Sequence, residues 1–275
     1  MKVMKITDTH YGFSKNTHRL HEKFLKKAAE ACAKENIDVI IHAGDWISNC
    51  QHQFPRTLKM FRNAFAGLPI LTVKGNHDLW DYTSYGKRNP HWPTGKPYHA
   101  MMSDHNEWMF EHDIWHLEKN PYHHVASDII VYGFDGYYRY VPPNTNDPYF
   151  MPREHQCAPM HSFLQNKAHK DLDWILLEAM SDKETYPGVR MVCVTHHQPF
   201  VDNPLYAHMT ANPRYMEMLV EYMNVLCVGH SHNPCNFIYT HPENPDQSMR
   251  VINSGCDFAR LNRKYDAPIY MIFEI

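Results

Sequence analysis

No apolar run in the 275-residue chain approaches the ~20 residues a membrane-spanning helix needs, so we expect no such helix. We also expect no cleavable secretory signal, because MKVMKITDTH runs directly into an alternating apolar segment that reaches chemistry-bearing side chains by Asp8. Cysteine is sparse: seven residues at irregular spacing make no disulfide framework. Cys193 and Cys227 fall inside apolar strand-like runs, where a free thiol behaves as a small buried hydrophobe. These absences together lead us to expect a reducing, cytoplasmic setting. Basic excess is lacking as well, and a net charge of -3 gives no electrostatic reason for binding long nucleic acid. Internal repeats, low-complexity tracts and linkers are absent. What remains is an ordinary globular composition, 43% hydrophobic and 21% charged, with one excess: 22 histidines, more than any single site needs.

The N-terminal half alternates between strand and helix signals. VMKI reads as a short strand ending at Thr7-Asp8-Thr9-His10, and Leu20, Phe24, Leu25, Ala28 and Ala31 line one face of a helix over about 17–35. IDVIIHAGD is a buried strand with Gly-Asp at its exit, a second helix follows near 56–66, and PILTV leads into Lys74-Gly75-Asn76-His77-Asp78. This βαβαβ rhythm argues for an α/β fold. Regular alternation then stops. Residues 79–160 are rich in Trp, Tyr, His and Pro with one clear strand, SDIIVYGFDG, and a stretch of that length reads as a functional loop or lid. Order resumes with a helix near 167–180, the strand VRMVCVT before His196-His197, a helix near 214–223, and NVLCV before Gly229-His230-Ser231-His232. Three β-like segments, NFIYT, MRVINSG and PIYMIFEI, close the chain. We therefore expect one domain over 1–275 with a large insertion at about 79–160.

Asp8, His10, Asp45, Asn76, His196, His230 and His232 each stand at or just past the C-terminal end of an expected strand, the edge of an open α/β sheet where ligands bind. Residues two apart on an extended chain point to one side, so Asp8 with His10, and His230 with His232, can each present two ligands in one direction. The mix of carboxylate, imidazole and amide suits Mn, Fe, Zn, Co or Ni better than the all-oxygen shell of Ca²⁺. Each motif alone is weak: Gly-Asp after a strand is a common turn, and His-x-His is more often a surface pair. Five such elements in order, each at a strand exit, are a different matter. A zinc knuckle of Cys227, His230, His232 and Cys235 is the rival metal reading. It fails because Cys227 lies within an apolar strand and the close cysteine pairing of structural zinc is missing.

Asp8-Thr9-His10, Gly44-Asp45, Gly75-Asn76-His77-Asp78, Thr195-His196-His197 and Gly229-His230-Ser231-His232 together resemble the calcineurin-like metallophosphoesterase superfamily, over nearly the whole chain. The resemblance implies a four-layer αββα sandwich of two mixed β-sheets flanked by helices. It implies two divalent ions, Mn²⁺ foremost, one held by Asp8, His10, Asp45 and His232 and the other by Asp45, Asn76, His196 and His230, with Asp45 bridging. It further implies that His77 contacts the phosphate and assists the leaving oxygen while Asp78 orients its ring. His197 either touches substrate or packs beneath the loop.

Departures from the superfamily's patterns narrow the activity. Gly44-Asp45 is followed by Trp46-Ile47-Ser48-Asn49, not by the Asp-Arg-Gly of phosphoprotein phosphatases, and Ser48 stands where purple acid phosphatases carry a tyrosine ligand. The His196-His197 pair resembles the cyclic nucleotide phosphodiesterase branch. Over 79–160 there are six Lys/Arg (Lys87, Arg88, Lys96, Lys119, Arg139, Arg153) against ten Asp/Glu (Asp81, Asp104, Glu107, Glu111, Asp113, Glu118, Asp128, Asp135, Asp147, Glu154), a net of -4. That balance is a poor track for long DNA and suits a nucleotide or short oligonucleotide held by stacking. Lys87, Arg88, Arg139 and Arg153 are candidates for phosphate contacts. The expected activity is hydrolysis of a small, nucleotide-like phosphoester. The alternatives are a repair-type nuclease and a non-catalytic scaffold of the same fold.

Overall fold

Short runs of β-branched and aliphatic residues become the strands of two sheets. The structure, a computed structural model, describes residues 1–12, 15–47, 53–75, 77–79, 98–134, 158–200, 214–255 and 270–275. The first sheet contains β1 (Lys2–Ile6), β2 (Val39–Ala43), β3 (Ile70–Val73), β4 (Trp115–His116) and β11 (Met271–Glu274), in the order β11-β1-β2-β3-β4. The second contains β5 (Tyr122–His124), β6 (Ile129–Phe134), β7 (Arg190–Thr195), β8 (Val225–Cys227), β9 (Cys235–Thr240) and β10 (Ser248–Asn253), in the order β5-β6-β7-β8-β10-β9. Both sheets are mixed. The inner strands run parallel, while β11 against β1, β5 against β6 and β9 against β10 are antiparallel.

The period of two assigns the faces. Val3, Val39, Ile41, Leu71 and Val73 of the first sheet meet Val131, Val192, Val194, Cys227 and Ile252 of the second in one buried layer. Alternate residues face outward. Met4, Ile6 and Ile40 pack on α1 (Lys15–Glu35) and α2 (Phe54–Ala64) through Phe24, Leu25, Ala28, Leu58 and Phe61. Ile130, Tyr132, Met191, Cys193 and Leu226 pack on α4 (Ala158–Thr185) and α5 (Arg214–Val220) through Leu172, Ile175, Ala179 and Leu219. The result is the expected four-layer αββα sandwich.

Two expectations require correction. The stretch 79–160 is not one irregular loop with a single strand: it contains the helix α3 (Tyr98–Glu111), β4, β5 and β6. The apolar pattern of α3 is blurred for a periodicity argument, since the large apolar Phe110 is 86% exposed and the fully buried face includes His105 beside Met109. β4 and β5, at two and three residues, are too short to show alternation. The helix expected at 167–180 runs past both ends, over Ala158–Thr185.

Candidate metal centre

Parallel pairing puts the C-terminal ends of β1, β2 and β3 on one edge of the first sheet, and those of β7 and β8 on the matching edge of the second. The two edges are stitched together. Asp8 N–H donates to Gly44 O (3.0 Å) and His10 N–H to Asp45 O (3.0 Å); Gly229 N–H donates to His196 O (2.8 Å). Across the sandwich, His196 Nδ1 donates to Ala43 O at 2.8 Å.

Backbone conformation turns the ligand candidates inward. Asp8, His10, Asp45, His230 and His232 all have positive φ, between 45° and 68°. The pairs two apart are therefore not presented by an extended chain, as the sequence suggested, but by residues in the left-handed region. Each costs roughly 1–3 kcal/mol and persists only where the surroundings over-determine it. Gly44 and Gly75 make the convergence sterically possible. A Cβ at Gly75 would lie 2.1 Å from Asp45 Oδ1, and one at Gly44 would lie 2.6 Å from Gly75 N and 2.8 Å from His196 Nδ1.

The side-chain atoms meet at one place. Asp8 Oδ1 is 3.2 Å from His232 Nε2 and 4.0 Å from His10 Nε2, and the two imidazole Nε2 atoms are 3.2 Å apart. Asp45 Oδ2 is 3.6 Å from His10 Nε2 and 3.3 Å from His196 Nε2. Among the described residues, four overlapping groups have ligand atoms within 4.8 Å of one another: Asp8-His10-His232, Asp8-Asp45-His196, His10-Asp45-His77 and His196-His197-His230. Cys227 and Cys235 belong to none of them. Asp8, Asp45 and His196 are buried, while His77 and His232 are half-buried at the rim.

Protonation fits divalent cations, which require ionised carboxylates and neutral imidazoles. Burial works against the Asp8 carboxylate, but the neighbouring His232 outweighs it and brings the group to about 2. Asp45 lies well below the carboxylate range because His196 and His77 outweigh its burial. Burial, helped by His77, lowers His10 to about 3, and burial also lowers His230 and His77. His196 is the exception: burial opposes its charge, yet the Asp45 carboxylate lifts it to about 9. In the absence of another cation, that imidazolium balances the buried carboxylate. Its Nδ1–H is committed to Ala43 O, so Nε2 faces Asp45 as the ligand atom. Convergent Nε2 and carboxylate oxygen atoms, buried and of the right charge, fit a divalent metal pair.

The sequence reading has Asp78 orienting the His77 ring. In the structure its Oδ1 accepts from the main-chain N–H of Trp46 (2.8 Å) and Ile47 (3.2 Å), and Oδ2 from those of Asp45 and Gly75 (both 2.9 Å). It clamps the exit of β2 to the exit of β3. Burial and the Asp45 carboxylate push it up to about 8, against the four N–H donors that favour the anion. His77 stands edge-on to His10, with ring centroids 4.5 Å apart, and its main-chain N–H donates to Asp45 Oδ1 at 2.8 Å. His197 is buried, its ring 4.2 Å from that of His230. Asn76, Lys87, Arg88, Arg139 and Arg153 lie outside the described residues. Sequence reasoning missed Thr7, whose hydroxyl donates to Asp8 Oδ2 at 2.6 Å; its place directly before Asp8 at a strand exit was the available signal.

The profile of the calcineurin-like phosphoesterases matches residues 1–234, and the chain belongs to that family. It is a metal-dependent hydrolase of phosphoric esters. Similar solved structures share the fold at low identity. The phosphopantetheinyl hydrolase of Mycobacterium tuberculosis has a TM-score of 0.65 at 15% identity, over 99% of this chain and 95% of that one. A dimetal phosphatase of Danio rerio gives 0.55 at 12%, over 92% and 86%. TT1561 of Thermus thermophilus gives 0.52 at 10%, over 94% and 90%. No helix among the described residues is long and apolar enough to cross a membrane.

Proposed function

We propose that the chain hydrolyses small phosphoesters, nucleotide-like diesters foremost, at a pair of divalent ions with Mn²⁺ preferred. Asp8, His10, Asp45 and His232 hold one ion, Asp45, Asn76, His196 and His230 the other. The observation that carries this reading is the position of the Asp45 carboxylate, whose Oδ2 lies 3.6 Å from His10 Nε2 and 3.3 Å from His196 Nε2. A shared carboxylate between imidazoles from opposite sheets is what a two-metal centre requires. When bound, such a pair polarises the phosphoryl group and lowers the pKa of a water.

The chain's own residues do the rest. Asp45 is held by the His77 main-chain N–H on Oδ1, leaving Oδ2 toward the ring nitrogens. His77, at the rim, contacts the phosphate and stabilises the leaving oxygen through its ring. His197 packs on His230 and steadies that ligand. We take residues 1–275 as one domain whose 79–160 segment shapes the substrate pocket, with Arg88, Arg139 and Arg153 offering further phosphate contacts. The acidic balance of that segment supports a small ester over long nucleic acid. Free thiols at Cys32, Cys193, Cys227 and Cys235 support a cytoplasmic setting.

The test is a rate panel on Mn²⁺-loaded protein with a nitrophenyl monoester, a bis-nitrophenyl diester, cyclic nucleotides and single-stranded DNA. The diester and cyclic nucleotides should turn over fastest. A diester rate well below the monoester rate removes the diester preference, and preferential cleavage of DNA points instead to a nuclease.

A further inference from the structure

His230 occupies a strained turn. Its φ is 68°, and Ser231 N–H donates back to Gly229 O at 2.8 Å, the φ and the i→i+2 bond of the rarer, costly γ-turn. Such a conformation lasts only if neighbours hold it. Asp8 holds the His230 N–H, its Oδ1 and Oδ2 both accepting at 3.1 Å, and a second residue that brackets the turn comes from another strand. Asn253 ends β10, which pairs alongside β8, and its side chain is wholly buried. Its Nδ2 donates to Gly229 O (3.3 Å) and Ser231 Oγ (3.2 Å), the residues on either side of His230. Its Oδ1 accepts from Gly255 N–H (3.0 Å) and from the Nζ of Lys5 (3.5 Å). A carbonyl and a hydroxyl on one side, with an amide N–H and an ammonium on the other, fix which way the amide faces.

Lys5 is the unexpected member. It is fully buried on β1, in the first sheet, and reaches across to Asn253 and to Ser254 Oγ (3.3 Å) in the second. Burying an ammonium costs stability, and an apolar residue of similar volume is often as good or better for the fold. A lysine at this point therefore calls for a reason beyond packing.

We propose that Asn253, anchored by Lys5, is a positioning residue that brackets His230 and sets the Gly229–His232 turn for metal binding. The proposal rests on the metal-centre reading above. Outer partners of this kind are worth roughly 10–100-fold in metal affinity.

The experiment compares wild type, Asn253→Ala, Lys5→Met and His230→Ala by calorimetric titration with Mn²⁺. Tm of the metal-free proteins, and kcat and KM on the diester, are measured alongside. Asn253→Ala and Lys5→Met should each weaken one of two Mn²⁺ sites by roughly 10–100-fold, with kcat recovering toward wild type in excess Mn²⁺ and KM unchanged. Lys5→Met should do so without lowering the metal-free Tm. A purely structural role gives the reverse: a lower Tm with wild-type Mn²⁺ affinity. Wild-type affinity in either folded variant overturns the proposal, and Lys5→Met, which conserves volume, keeps the test open if Asn253→Ala does not fold. If His230→Ala loses a site while Asn253→Ala keeps it, only the positioning inference fails. If His230→Ala also binds two Mn²⁺ as wild type does, the metal-centre reading fails with it.

Discussion

A carboxylate buried as deeply as Asp8 or Asp45 is costly to keep ionised unless positive charge stands beside it. His196 supplies one positive charge beside Asp45, while burial holds His10, His77 and His230 neutral, and bound cations would supply the rest. His77 stands apart from this set. Its main-chain N–H, not its ring, bonds Asp45, so His77→Ala leaves that bond in place and removes only the imidazole. We expect the variant to keep both metals while kcat falls about 10²–10⁴-fold; metal analysis with steady-state rates measures both, and unchanged turnover would remove the ring from the mechanism. Sequence reasoning could find Asp8, His10, Asp45, His196, His230 and His232 because each follows a strand, and strand exits converge. It could not find their left-handed backbone, because φ at a residue other than glycine leaves little trace in composition. Nor could it tell that the oxygens of Asp78 accept from four main-chain N–H groups.

At the scale of elements, the site depends on strand exits being locked to one another. Asp78 ties the turn after β2 to the turn after β3, and its removal strands buried donors that each cost ~1–3 kcal/mol. Asp78→Ala should therefore destabilise the metal-free protein by about 3 kcal/mol or more, read from urea unfolding, and should misplace Asp45. A change within about 0.5 kcal/mol would show that the clamp is dispensable. The inner strands were legible because both faces are buried and the runs are almost continuously apolar, as in IDVIIHA and RMVCVT. α1 was legible from one-sided periodicity. α3 was not, because a histidine sits on its buried face and a phenylalanine on its exposed one, and β4 and β5 exist only through pairing with β3 and β6.

The whole molecule is two half-sandwiches whose shared layer carries the metal centre on one edge. The sheets approach closely: a Cβ at Gly133 on β6 would lie 2.8 Å from Val73 Cγ1 on β3 and 2.7 Å from Leu117 Cβ. The proposed ligands come from both sheets, so cations held between them should tie the halves together. A ligand that binds only the folded state, at about 100 times its Kd, adds about 2.7 kcal/mol, or about 5–10 °C in Tm for a chain of this size. Mn²⁺ should raise Tm by that amount, EDTA should reverse the rise, and Asp45→Ala should abolish most of it; scanning calorimetry measures all three. Equal Tm with and without metal would mean that the cations do not bridge the sheets.

The most direct test is anomalous diffraction from a crystal soaked in Mn²⁺. Two peaks roughly 3.5–4 Å apart should appear, with Asp45 touching both, His10 and His232 on one, and His196 and His230 on the other. A single peak, or an Asp45 carboxylate in contact with neither ion, would contradict the two-metal account.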